Sequence, residues 1–508
     1  MERRIFLKSA GAGVFAAGIL GSNAFGSSGS VAGKNKKPDV LVILVDQWTP
    51  QTLGVAGDPD VKTPNLDMLA TKDGILFDAC YTSCPVCVPA RAGLISGLYP
   101  HNTRLWRNAN EFYLTPADAP MFLDMKDAGY TTAQIGKLHW NTGSLFQREF
   151  SNIDEYRKAL GLDYALPLPT PYSSADDKGP YGEHLKNIGK TDEYRTDMKD
   201  RLKNDQYLVR QSVVESKDYN DVFVADKAVE YLRSLNNDNP YCLVVSFPSP
   251  HVPLDTPGEY AAMYKPEKMH LYDNVEAFQY DGKEYTLERL KEMRAMYLGK
   301  ITLLDDCVGK LIKELKDRGT YDNTLILFTA DHGELMGSHG FLGKGRFWEE
   351  SARVPLIAHW PGKVKNPGRR IKAPVQMFDI YATIVDAAGG TVSSGFSKSF
   401  LPVVRGDAEK SRDAAFTEYS KGVTFDYMVR TEQFKYWTEG RKKEHLFDIK
   451  NDPYEMNDLA GSPAHQEMLA DMRARLNEFV LNTHLDYAVN YKPRQDQFRE
   501  SLEKDSGK

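Results

Sequence analysis

The chain predicts an α/β protein, in which a large, mostly parallel sheet flanked by helices is followed by a smaller C-terminal α+β subdomain. Three observations predict it. Short apolar, β-branched runs recur along most of the sequence. Amphipathic helical stretches lie between them, the alternation that builds parallel sheets covered on both faces. After about residue 395 the pattern breaks into short strand-and-turn segments.

The elements follow in order. MERRIFLKSAGAGVFAAGILGSNAFGSSGS opens the chain, with Arg3 and Arg4 ahead of a mildly apolar run and then small residues. This reads as a twin-arginine-like signal peptide over 1–26, with a linker over 27–37. The apolar run is shorter than the roughly 20 residues that span a bilayer, so the expectation is an exported, periplasmic protein with no stable membrane insertion once the signal is removed. PDVLVILVD (38–46) reads as a buried strand ending on Asp46. Similar runs are TTAQI (131–135), YCLVVSF (241–247), NTLILFTAD (323–331) and VPLIAHW (354–360). VFVADKAVEYLRSL (222–235) and the segment 288–317 have helical periodicity, and MFDIYATIVDAAGG (377–390) reads as a helix closed by glycines. The stretch 160–215 is polar, with little periodicity, and reads as a long loop-like insertion. These elements give a main domain over 38–395, a C-terminal subdomain over 396–484 and a charged tail over 485–508.

Net charge bounds the partners. The 508 residues carry 64 Lys and Arg against 70 Asp and Glu, a balance of −6 with the signs interspersed, so nothing marks a nucleic-acid surface. In open α/β sheets ligands gather beyond the carboxyl ends of strands, which singles out Asp46 and Asp331.

CPVCVPAR (84–91) needs a separate account. The five cysteines, Cys80, Cys84, Cys87, Cys242 and Cys307, are odd in number and poorly spaced for a disulfide framework. Cys84 and Cys87 alone fit a redox pair at a helix start, or a bland buried or bonded pair; a zinc site lacks a second pair of ligands. Cys87-Val88-Pro89-Ala90-Arg91 also fits Cys-x-Pro-x-Arg. It stands in an ordered series: VILVDQ, TPNLDMLA, CVPARAGLISGLYPHN, IGKLHW, SPHVP, TADHGELMGSHG, GKGRFWEESARVPLI, FDIYATIVDAAG and LFDIKNDPYEMNDLA. This series, from about 38 to about 460, resembles the type I sulfatases of the alkaline-phosphatase superfamily, and among them the bacterial carbohydrate sulfatases.

The resemblance implies the chemistry. In that family a maturation enzyme oxidises the motif cysteine, here Cys87, to formylglycine. Its hydrate attacks sulfur with one oxygen and later expels sulfate with the help of the other. Arg91 is implied to hold the nucleophile and metal region, and Lys137 and Lys344 to clamp sulfate. His139 is implied to take the proton on sulfate release, and His251 to protonate the leaving alcohol. Asp46, Gln47, Asp331 and His332, with Cys87, match the metal ligands of one divalent cation, usually Ca2+. Many members carry aspartate at the position of Gln47 and asparagine at that of His332, so manganese or zinc also enter consideration. Trp106, Arg107, Asn108 and Trp348 are candidate substrate contacts for a sulfated saccharide released from a polysaccharide. Cys84, Cys80, His339 and the Glu349–Arg353 pair read as structural. The competing functions are a phosphonate or phosphate ester hydrolase of the same superfamily, an inactive binding protein, and a thiol oxidoreductase.

Overall fold

The computed structural model describes residues 37–108, 114, 118–140, 153–168, 179–236, 238–393, 395–420, 424–440 and 442–486. The signal and almost all of the linker, residues 169–178 of the insertion, and the tail from 487 onward lie outside the described residues. The described residues from 37 onward form one compact unit.

The large sheet contains β1 (Asp39–Asp46), β2 (Gly74–Tyr81), β3 (Thr131–Lys137), β4 (Tyr164–Leu168) and β5 (Tyr241–Pro250). After a small hairpin, β6 (Phe278–Tyr280) and β7 (Lys283–Tyr285), it continues with β8 (Thr324–Ala330), β9 (Arg353–His359), β10 (Arg370–Ile371) and β11 (Val375–Gln376). Strand order is β10-β2-β9-β8-β1-β5-β3-β4, with β11 also on β2. The expectation of a mostly parallel sheet holds: only β9 is reversed, antiparallel to both β2 and β8. β1 lies near the centre between β5 and β8, and all eight of its residues are buried. That is why it reads as an unbroken apolar run rather than an alternating one.

Helices cover this sheet in two groups. α1 (Cys87–Ser96) packs with α4 (Asp379–Ala387), while α2 (Asn220–Ser234) packs with α3 (Leu287–Asp317) and on β5. Thr286 caps α3 by accepting from the Arg289 amide, as a threonine before a long amphipathic stretch should. The insertion departs from expectation. Besides β4 it contains two helices, Gly179–Asn187 and Thr191–Asn204. Their buried positions include Asp197 and Arg201, an ion pair at 2.8 Å that hides the apolar period.

Four antiparallel strands follow, β12 (Ala415–Ser420), β13 (Phe425–Arg430), β14 (Phe434–Glu439) and β15 (Lys443–Asp448), covered by α5 (Gln466–Asp486). Tyr81, Phe347, Met428, Trp437 and Phe447 form an apolar cluster joining this sheet to the main one.

Candidate active site

The site forms where β1, β3, β5 and β8 end and α1 begins. β1 delivers Asp46, and β8 leads into Asp331 and His332. The Asp331 amide bonds to the Val45 carbonyl at 3.1 Å and the Trp48 amide to the His332 carbonyl at 3.0 Å, so the two strand ends are stitched together. Gln47 has φ 65°, in the left-handed region that non-glycine residues seldom occupy. This kink breaks the alternation of side chains along the strand, and the Gln47 amide N–H bonds to Asp331 Oδ1 at 3.1 Å. At the end of β3, Gly136 has φ 100°, and a Cβ there would lie 1.9 Å from the Ser246 carbonyl oxygen. Only glycine lets β3 approach β5 so closely and still deliver Lys137 and His139. His139 is also left-handed, with φ 50°.

Cys87 is the first residue of α1, its side chain essentially buried. Its Sγ lies 2.9 Å from Lys344 Nζ, 3.1 Å from His332 Nε2, 3.7 Å from Asp46 Oδ1 and 3.9 Å from Asn108 Nδ2. Burial pushes the thiol up, but Lys137, Lys344 and His332 outweigh it and, with a hydrogen bond from His139, hold it well below its ordinary value. Lys137 Nζ pairs with Asp46 Oδ2. Burial also disfavours ionised Asp46, as does Cys87, yet the nearby Lys137, His251 and Lys344 keep it below the usual carboxylate range. Lys344, despite burial, is raised by Cys87, Asp46 and Asp331. Burial lowers His139, whereas His332, also buried, is raised by Asp331.

Arg91, fully buried one helical turn beyond Cys87, ties four strand ends. Its Nε donates to Asp331 Oδ2 at 2.7 Å, and one terminal nitrogen donates to the Lys137 carbonyl at 3.0 Å and Ser246 Oγ at 2.7 Å. The other terminal nitrogen lies 3.7 Å from Asp46. The His251 amide donates to the Asp46 carbonyl at 3.0 Å, and its ring Nδ1 lies 2.7 Å from the Val252 carbonyl.

Asp46, Cys87, Asp331 and His332 each offer a ligand atom, all within 4.8 Å of one another and all buried. Two carboxylates, an imidazole and a thiol make a donor set able to hold a divalent cation. Gln47 Oε1 supplies an independent sign, because it is buried with no hydrogen-bond partner among the described residues.

Of the candidate substrate contacts, Asn108 is drawn into the site; its Oδ1 accepts from the Val88 amide at 3.1 Å. Trp106 packs edge-on against Phe425 at 4.5 Å, and Arg107 is exposed. Trp348 is partly buried. It stacks on His339 at 3.7 Å and meets Trp437 at 4.8 Å in the joint between the sheets. All five cysteines are free; Cys84 Sγ faces the Trp106 carbonyl at 3.8 Å. Glu349 pairs with Arg353 at 2.8 Å, as expected, and additionally with Lys435 at 2.9 Å. Sequence reasoning missed Ser246 and Glu334. Ser246 sits within an otherwise apolar run of β5, and Glu334 closely follows Asp331 and His332, the one clue to its place.

Comparison with known proteins agrees with this geometry. A family profile described as Sulfatase matches residues 38–390, and one described as N-sulphoglucosamine sulphohydrolase, C-terminal, matches 337–482. The chain is 30% identical over 457 residues to an ulvan-active sulfatase of Formosa agariphila, covering 87% of this chain and 81% of that one. It is 25% identical to an N-acetylglucosamine-6-O-sulfatase of Bacteroides thetaiotaomicron, covering 88% and 86%. Among solved structures, the phosphonate monoester hydrolase of Agrobacterium radiobacter superposes with a TM-score of 0.70 at 25% identity, covering 89% and 96%. The chain belongs to the sulfatase family, the hydrolases of sulfate esters.

Proposed function

We propose that the protein is a formylglycine-dependent carbohydrate sulfatase, acting on sulfated saccharides derived from a polysaccharide. The observation that carries this reading is the convergence of Lys344, His332 and Asn108 on the Cys87 sulfur at the N-terminus of α1. Sulfate esters are anionic, so a site that attacks them must first neutralise charge. Lys137 and Lys344 supply fixed cations, and the helix N-terminus adds its partial positive charge.

When oxidised by a maturation enzyme to formylglycine, position 87 supplies, as the hydrate, an oxygen nucleophile for sulfur and a second hydroxyl whose loss of a proton releases sulfate. Lys137 and Lys344 hold the sulfate oxygens. His139, whose ring faces position 87, accepts the proton on release, and His251 donates one to the departing sugar oxygen. Arg91 holds Asp46 and Asp331 in place. Asp46, Gln47, Asp331 and His332, with position 87, are the residues that would hold a divalent cation, Ca2+ first among the candidates; it would polarise the bound sulfate. Asn108, beside the nucleophile, contacts the substrate, and Trp106 and Arg107 lie near enough in sequence to border its entrance. Trp348 supports the substrate-facing loop from within the joint. The saccharide class is supported by the names of relatives that act on ulvan and on N-acetylglucosamine 6-sulfate groups. Residues 1–26 are read as an export signal directing the enzyme to the periplasm, 38–395 as the catalytic domain and 396–484 as the C-terminal subdomain.

The likeness to a phosphonate monoester hydrolase supports a second reading, hydrolysis of phosphonate or phosphate esters. Enzyme produced with a maturation partner and offered defined sulfated mono- and disaccharides alongside phosphonate and phosphate esters separates the two. The proposal expects the highest kcat/KM on a sulfated saccharide. A higher value on a phosphonate ester would establish the second reading.

A further inference from the structure

We infer that Glu334 is a positioning residue that forces the Gln47 side-chain amide to present its oxygen, and not its nitrogen, to the cation; the inference rests on the cation site proposed above. Glu334 is buried in the loop after His332. Its Oε1 accepts from the backbone amides of Met336 at 2.9 Å and Gly343 at 2.7 Å. Its Oε2 accepts from Gln47 Nε2. Backbone bonds lock the rest of the residue: the Glu334 amide donates to Thr49 Oγ1 at 3.2 Å, and Thr49 Oγ1 donates to the Glu334 carbonyl.

The chemistry of the pair allows one arrangement. An amide has a donor end and an acceptor end, and a carboxylate offers only acceptors. With Oε1 taken by two backbone donors and Oε2 turned to Gln47, the NH2 of Gln47 has to face Glu334. Its carbonyl oxygen therefore faces away, buried and with no hydrogen-bond partner among the described residues. A buried acceptor left in that state is costly unless something positive meets it. The structure thus pairs a neutral ligand at position 47 with an anion behind it. A glutamate at 47, of the same length, would instead set carboxylate against carboxylate. The same Glu334 oxygen that holds the Gly343 amide also steadies the start of the loop that carries Lys344, so one side chain braces both a cation ligand and a cation that approaches Cys87.

The test is calcium binding to purified protein freed of metal by chelation, followed by calorimetry and by the calcium-induced rise in melting temperature. Glu334→Gln presents an NH2 toward Gln47 and lets that amide turn over. Calcium affinity should fall at least about tenfold while the melting temperature of the metal-free protein changes little. Gln47→Glu alone, of the same length, should weaken binding similarly, and the pair Gln47→Glu with Glu334→Gln should recover it, because the new amide can donate to the new carboxylate. Parent-like affinity in Glu334→Gln, or a double variant no better than Gln47→Glu, would overturn the positioning role. Parent protein that binds neither calcium nor manganese would overturn the cation site itself, an outcome distinct from the other two.

Discussion

Two clusters of buried charge in this molecule are built differently. At the joint between the sheets, Lys435 bridges Glu349 and Glu455 at 2.9 and 2.8 Å, and Glu349 also takes Arg353 at 2.8 Å and the Tyr81 hydroxyl. There the charges pair with one another. At the strand ends, the side chains of Lys344, His332 and Asn108 converge instead on one sulfur atom. Burial and charge are common to both. What separates a working site from a structural one is that the charges point at a reactive atom and not only at each other.

The contrast can be broken at several points, the largest first. Cys87→Ala should abolish sulfate release, by more than about a thousandfold, with the melting temperature nearly unchanged. Lys344→Ala should lower kcat/KM by about a hundred- to a thousandfold, since a charge aimed at the reacting anion is lost. Glu349→Gln should do the reverse. Removing one partner of a buried pair costs about 3–5 kcal/mol of stability, visible in denaturant unfolding, while the turnover of folded enzyme persists.

The two acids of the joint should also titrate apart. Burial opposes ionisation of Glu349, but Lys435, Arg353 and Arg430 bring it down to about 2 from 4.5. Its contribution is present above pH 4.5 and is lost as the pH falls toward 2. Glu455 is raised to about 8 by burial and by Glu349 and Glu350, against the pull of Lys435. Its contribution is complete below pH 4.5 and is lost as the pH climbs through 8. Glu455→Gln, which imitates the protonated acid, should flatten the stability decline between those values in thermal unfolding measured across pH. The smallest effect belongs to Cys84→Ala, which should keep most of the turnover, because Cys84 Sγ faces the Trp106 carbonyl and not the site.

Much of this was readable in the chain. Strands buried on both faces appear as continuous apolar runs, so β1, β5 and β8 were visible, and the polar residues that close β1 and β8 were visible with them. The motif blocks named Cys87, Lys137, His139, His251 and Lys344, and the fold brings them together. Other features were hidden for physical reasons. β4 is a half-buried edge strand containing Pro167, and it lacks a clean pattern. The helix Thr191–Asn204 buries Arg201 against Asp197, so its inward face does not look apolar. Glu334 resembles any solvated acid in a loop until the fold sets it against Gln47. The packing of Trp348, partly buried, against His339 and Trp437 in the joint could not be read from its place after a motif lysine.

The chemical state of one side chain decides the mechanism, and mass spectrometry of active enzyme reads it. The tryptic peptide spanning residues 73–91 contains Cys80, Cys84 and Cys87. An aldehyde or its hydrate is expected at position 87, with both other thiols intact. Fully active enzyme carrying an unmodified thiol at position 87 would contradict it.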